Sequence, residues 1–140
     1  MKRIFSIFAA ALVMTIAVGV QTAAAQEDVG RLLKQLEEDS DRFSNTVAKA
    51  LDKSKWDGTP EEDTAIRYVR DFEDSIDRLK KAYDDGGETL ELAKEVQVKS
   101  KAIDTFLKKH DVGGNTKVDW GTVKATLLRL KKTKIVKAAT

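Results

Sequence analysis

The spacing of apolar residues between Glu61 and Asp85 constrains this chain more than any other feature. Ala65, Val69, Phe72, Ile76, Leu79 and Tyr83 recur at steps of 4, 3, 4, 3 and 4. That rhythm lines side chains along one face of an α-helix. The segment also carries its own punctuation. Thr59-Pro60-Glu61-Glu62 opens it with Thr as N-cap, Pro at the first helical position and Glu at the third, the arrangement of a capping box. Asp85-Gly86-Gly87 closes it.

Three further stripes flank this one. Val29, Leu32, Leu33, Leu36, Phe43, Val47, Ala50 and Leu51 form the first, and Trp56-Asp57-Gly58 turns out of it. Leu92, Ala93, Val96, Ile103, Phe106, Leu107 and His110 form the third, ending at Asp111-Val112-Gly113-Gly114. The fourth starts at Thr116, with Asp119 as its expected capping partner, and carries Trp120, Val123, Leu127 and Leu130. With no strand-like alternation and only short connections, the chain is expected to be all-α. The pattern predicts an antiparallel up-down four-helix bundle with helices at about 28–54, 60–85, 88–110 and 116–132. A three-helix bundle with a loosely docked fourth helix is the alternative.

The amino-terminal end reads differently. Met1-Lys2-Arg3 is a short basic region, Ile4–Val20 is apolar, and Ala23-x-Ala25 supplies a signal-peptidase pattern, so cleavage is expected before Gln26. An uncleaved anchor is the competing reading, since 17 apolar positions approach what a span needs, but Ser6, Thr15 and Gly19 dilute the run. No Cys follows it, which excludes a lipoprotein anchor. Removing 25 of the 140 residues leaves 115, with 23 basic against 23 acidic side chains. The expected domain is therefore 26–130 with a basic tail at 131–140, periplasmic or secreted. Lacking any Cys, it must be held by packing alone.

Two acidic clusters, Glu37-Glu38-Asp39-Ser40-Asp41 and Glu73-Asp74-Ser75-Ile76-Asp77, invite a catalytic or metal reading. Intrahelical partners four residues away can be named for carboxylates in and beside the clusters: Lys34–Glu38, Glu38–Arg42, Arg67–Asp71, Arg70–Asp74, Asp74–Arg78 and Asp77–Lys81. The clusters are expected to be solvated faces, with Ser40 in the seam and Asp39 at its edge. A bundle metal site would need Asp39, Asp71, Glu73 and His110 to converge, and Glu-x-x-His pairs are absent. His110, beside Lys108 and Lys109, is expected to serve a helix carbonyl end. Residues 111–122 place Asp111, Asn115 and Asp119 near calcium-loop positions, yet Thr122 stands where a bidentate carboxylate is required. Neither a nucleophilic triad nor a phosphate-cradling glycine motif is present, so no enzyme and no cofactor is expected.

Charge distribution carries the functional content. Residues 116–140 hold Lys117, Lys124, Arg129, Lys131, Lys132, Lys134 and Lys137 against Asp119 alone. This basic arm could meet an anionic envelope surface through Lys124, Arg129, Lys131, Lys132, Lys134 and Lys137. Nucleic acid is disfavoured because 129–137 has no aromatic side chain on which bases could stack. Ile66, Tyr68, Leu90, Val98 and Leu128 fall outside the main stripes and are the candidates for a helix-face contact with a partner or a second copy.

The segments RLLKQLEEDSDRF, DGTPEEDTAIRYVRDFEDSIDRLKKAYDD and AIDTFLKKH with the later DW resemble a group of small exported all-α bacterial proteins without an assigned activity. The resemblance spans about residues 29–120. It implies a short helical domain behind a signal peptide and carries no functional residues across. The expectation is thus a non-enzymatic interaction or structural module, with a metal- or small-ligand-binding bundle as the alternative.

Overall fold

The computed structural model describes residues 19–133 and 135, with side chains from Val29 onward. The residues before Gly19, the side chains at the expected cleavage junction, and Lys134 and Lys137 lie outside the described residues. Four helices are present: α1 (Gly19–Leu51), α2 (Pro60–Asp84), α3 (Leu90–Lys109) and α4 (Thr116–Lys131).

The turn chemistry fixes where the helices stop. Helix α1 ends at Leu51, three residues before the expected end, because the Ser54 backbone N–H and hydroxyl both donate to the Leu51 carbonyl. Thr59 caps α2 as expected, its side chain accepting from the Glu62 backbone N–H. Glu62 instead reaches back one residue further than in a standard capping box, accepting from the Gly58 N–H at 2.7 Å. At the far end of α2, Gly87 donates to the Ala82 carbonyl and Gly86 to that of Tyr83, a Schellman closure that needs the left-handed backbone Gly86 adopts at φ 69°. The expected cap of α4 does not form. Asn115 is the N-cap without a side-chain bond, Thr116 is already helical and buried, and Asp119 turns to α1. The beginning of α1 also differs, since the helix starts at Gly19 and runs through the junction at 25/26.

Cross-helix contacts give the topology. Glu73 bonds Ser44 and Tyr83 lies against Gly30, so α1 and α2 run antiparallel. Arg78–Glu95, Asp71–Lys99 and Tyr68–Phe106 do the same for α2 and α3. Thr46–Asp119 and Asp39–Thr126 set α4 antiparallel to α1. The result is an up-down-up-down four-helix bundle in which α1 lies between α2 and α4. The fourth helix is not loosely docked. Trp120 is buried between Phe43 of α1 (ring centroids 4.9 Å) and Phe72 of α2 (5.6 Å), and Val123 and Leu130 are buried with it. Burying side chains of this size contributes about 1.5–3 kcal/mol each. Among the described residues, no helix is long and apolar enough to cross a membrane.

Candidate functional site

The amino half of α1 and the carboxyl end of α4 meet because the two helices are antiparallel. Between them lies a cleft of about 360 Å³, lined by Arg31, Leu32, Gln35, Arg129, Lys132 and Thr133. Three of the six lining residues are cationic and none is acidic. Leu32 is buried, forming an apolar floor. Gln35 is committed to Asp39 at 2.9 Å and Thr133 to the Leu130 carbonyl, so the polar rim is held in place by the fold. Lys131 stands exposed beside it.

This cleft gathers part of the predicted basic arm. Arg129, Lys131 and Lys132 have no carboxylate within ion-pair distance among the described residues. Lys124 does not join them: its ammonium lies 3.0 Å from Asp104 of α3. Asp104 also receives Lys108 at 2.7 Å and the Trp120 indole N–H at 3.3 Å. The Lys108 and Lys124 ammonium groups and the indole hold its carboxyl well below the usual range, against the opposing effect of partial burial. Lys124 is thus part of the α3–α4 tie. Arg31 is the cleft residue that sequence reading missed. The signal for it was the antiparallel pairing of helix ends, since nothing in its local sequence sets it apart.

The predicted helix-face residues do not assemble into one strip. Ile66, Val98 and Leu128 are exposed, whereas Tyr68 and Leu90 are half-buried, Tyr68 with its ring edge-on to Phe106. Val98 lies two residues from buried Val96, and Leu128 two from both Thr126 and Leu130. A two-residue step turns about 200° around a helix, so each points away from the core of its own helix. Exposed Val118, which the sequence reading did not name, follows the same rule between Thr116 and Trp120.

The four residues of the metal reading also stay apart. Asp39 is buried beneath α4, Asp71 pairs with Lys99 of α3, and Glu73 faces Ser44 of α1. His110 stands at the carboxyl end of α3, as its C-cap. Desolvation raises the Glu73 carboxyl pKa, the Ser44 hydrogen bond offsets part of that, and repulsion from Asp41, Asp77 and Asp74 adds to it. Asp39 corrects the expectation that it sits at the edge of the seam. It is as buried as Ser40, because α1 packs against two helices and its buried arc is correspondingly wide. Of the six intrahelical pairs expected, Lys34–Glu38 forms at 3.9 Å. Arg78 and Asp71 turn instead to Glu95 and Lys99 of the neighbouring helix. The calcium-like segment is divided, with residues from Thr116 onward in helix α4 and Asp119 accepting from Thr46 at 2.6 Å.

A second concavity of about 510 Å³ lies between α2 and α3, and sequence reading missed it entirely. Its lining includes Tyr68, Phe106 and His110, together with Lys101 and Lys109. The four-residue step from Phe106 to His110 was the available signal. Comparison of the chain with family models, curated proteins and solved structures returns no significant match.

Proposed function

We propose that this chain is a non-enzymatic interaction module of the cell envelope or extracellular space, exported behind a removed leader, that engages an anionic surface through the cleft between α1 and α4. One observation carries the reading. Arg31, Arg129 and Lys132 line a single cleft with no carboxylate among its lining residues, in a chain whose mature part is balanced in charge. A cation near an anionic lipid surface contributes about 1 kcal/mol, so Arg129, Lys131 and Lys132 together give useful but salt-sensitive attachment. Nucleic acid is the weaker fit, for want of aromatic side chains in 129–137. The resemblance of residues 29–120 to small exported helical bacterial proteins belongs to the same proposal.

The test compares the chain from Gln26 to Thr140 with its Arg129→Glu/Lys132→Glu variant, in binding to envelope fractions and to anionic vesicles across a salt series. Binding by the unaltered chain that falls with salt, and weakens about tenfold or more in the variant, is the expected result. Equal binding by both chains, or binding indifferent to salt, overturns the proposal.

A further inference from the structure

We infer that the groove between the first turns of α2 and the last turns of α3 binds a small apolar monocarboxylic acid, its body against Tyr68 and Phe106 and its carboxylate at Lys109. The site uses none of the residues of the basic cleft and stands independently of that reading.

The shape comes first. At about 510 Å³ the groove falls in the range of small-molecule sites, which run to about 300–1,000 Å³. Its floor is aromatic, with Tyr68 and Phe106 edge to face at 6.3 Å. His110 closes one end, stacked on Phe106 at 4.4 Å, and Trp56 backs it edge-on at 4.9 Å. Trp56 is itself fixed by its indole N–H, which donates to the Asp111 carbonyl. Four rings from α2, α3 and the two flanking turns therefore form one preorganised end wall and floor.

The polar groups around that floor select the ligand. Lys101 and Lys109 both line the groove and have no carboxylate within ion-pair distance among the described residues. Lys94, Lys99 and Lys108 on the same helix are all paired. Glu61 is the one acidic residue of the lining, so two ammonium groups and one carboxylate leave a single net positive charge. That balance suits a monoanion and disfavours a phosphate dianion. The eight residues from Lys101 to Lys109 span about 12 Å of helix rise, so the two ammonium groups mark opposite ends of the groove. Lys109 adjoins His110, whose enclosed Nδ1 has no hydrogen-bond partner. Lys101 at the other end offers its methylene stem to the apolar body. Thr64 and Thr105 complete the rim without adding charge.

The probe is 4-phenylbutyrate, titrated into the full chain by calorimetry and followed by NMR, with uncharged 4-phenylbutyramide as its match. Saturable binding is expected, with shifts at Tyr68, Phe106 and His110. The amide, and the acid with Lys109→Gln, are expected to bind about tenfold more weakly, the size of one charge-assisted hydrogen bond. Thr105→Trp, at an exposed helix position on the rim, fills the groove and abolishes binding while the fold persists. Absence of saturable binding overturns the inference. So do equal affinities for acid and amide, indifference to Lys109→Gln, or shifts confined to other surfaces.

Discussion

Thr126 donates a hydrogen bond of 2.8 Å to Asp39 from across the α1–α4 interface, and both side chains are buried. Gln35 supplies the other carboxylate oxygen at 2.9 Å, and Arg42 approaches that oxygen at 3.6 Å from the solvent side. A carboxylate enclosed in this way costs little only while its acceptors are filled. Thr126→Val keeps the shape and removes the donor, leaving one oxygen enclosed and unpaired. The expected loss is about 1–3 kcal/mol, read as a lower denaturation midpoint at unchanged slope. Thr126→Ser restores the donor and is expected to recover most of that loss. A Thr126→Val midpoint equal to that of the unaltered chain would mean that water fills the place of the hydroxyl.

At the scale of elements, α3 and α4 are joined chiefly through Asp104, which gathers Lys108 from its own helix and Lys124 and Trp120 from the next. Its side chain is 26% exposed, so the contribution is that of a solvent-screened network, about 1 kcal/mol. Asp104→Ala should lower Tm by about 3–5 °C at neutral pH. The pH dependence follows from the direction of the shift. A carboxyl held low in the folded state binds protons more readily once unfolded. Its stabilisation is therefore full above the unfolded value of about 3.9 and is lost as pH falls below it. Melting curves of variant and unaltered chain should converge toward pH 2. A gap that stays constant with pH would assign the loss to packing instead.

The same element scale shows what sequence could and could not deliver. Helix existence and the inward face of α2 were legible because six apolar residues kept one phase through 19 positions. The Schellman stop was legible in Gly86-Gly87. By contrast, Thr116 and Asp119 have ideal capping spacing, yet Thr116 is buried within the helix and Asp119 is taken by Thr46 of α1. Asp39 escaped because a single stripe predicts one neighbour, and α1 has two. Neither concavity was legible. Each is lined by ends of two helices, and their meeting depends on which helix lies beside which, a fact that periodicity within one helix does not encode.

Among the described residues, the buried apolar side chains run from Val29 to Leu130. The expected cleavage point, before Gln26, precedes the first of these. If the bundle is held by that core, a chain beginning at Gln26 should unfold in one transition, with Tm within about 2 °C of the full chain. Cutting further in has a different consequence. Starting at Leu36 removes Val29, Leu32 and Leu33, each 8% exposed or less. At about 1.5–3 kcal/mol per side chain, their loss removes roughly 5–9 kcal/mol. That approaches the whole margin of a domain this size, about 5–15 kcal/mol, so the shorter chain should be largely unfolded at 25 °C by circular dichroism. It would also delete Arg31 and the floor of the basic cleft, so its behaviour speaks to stability and not to binding. A chain from Gln26 that melted many degrees lower would show instead that residues before it carry part of the fold. The boundary at 25/26 would then fall inside the part of α1 on which the stability of the bundle depends.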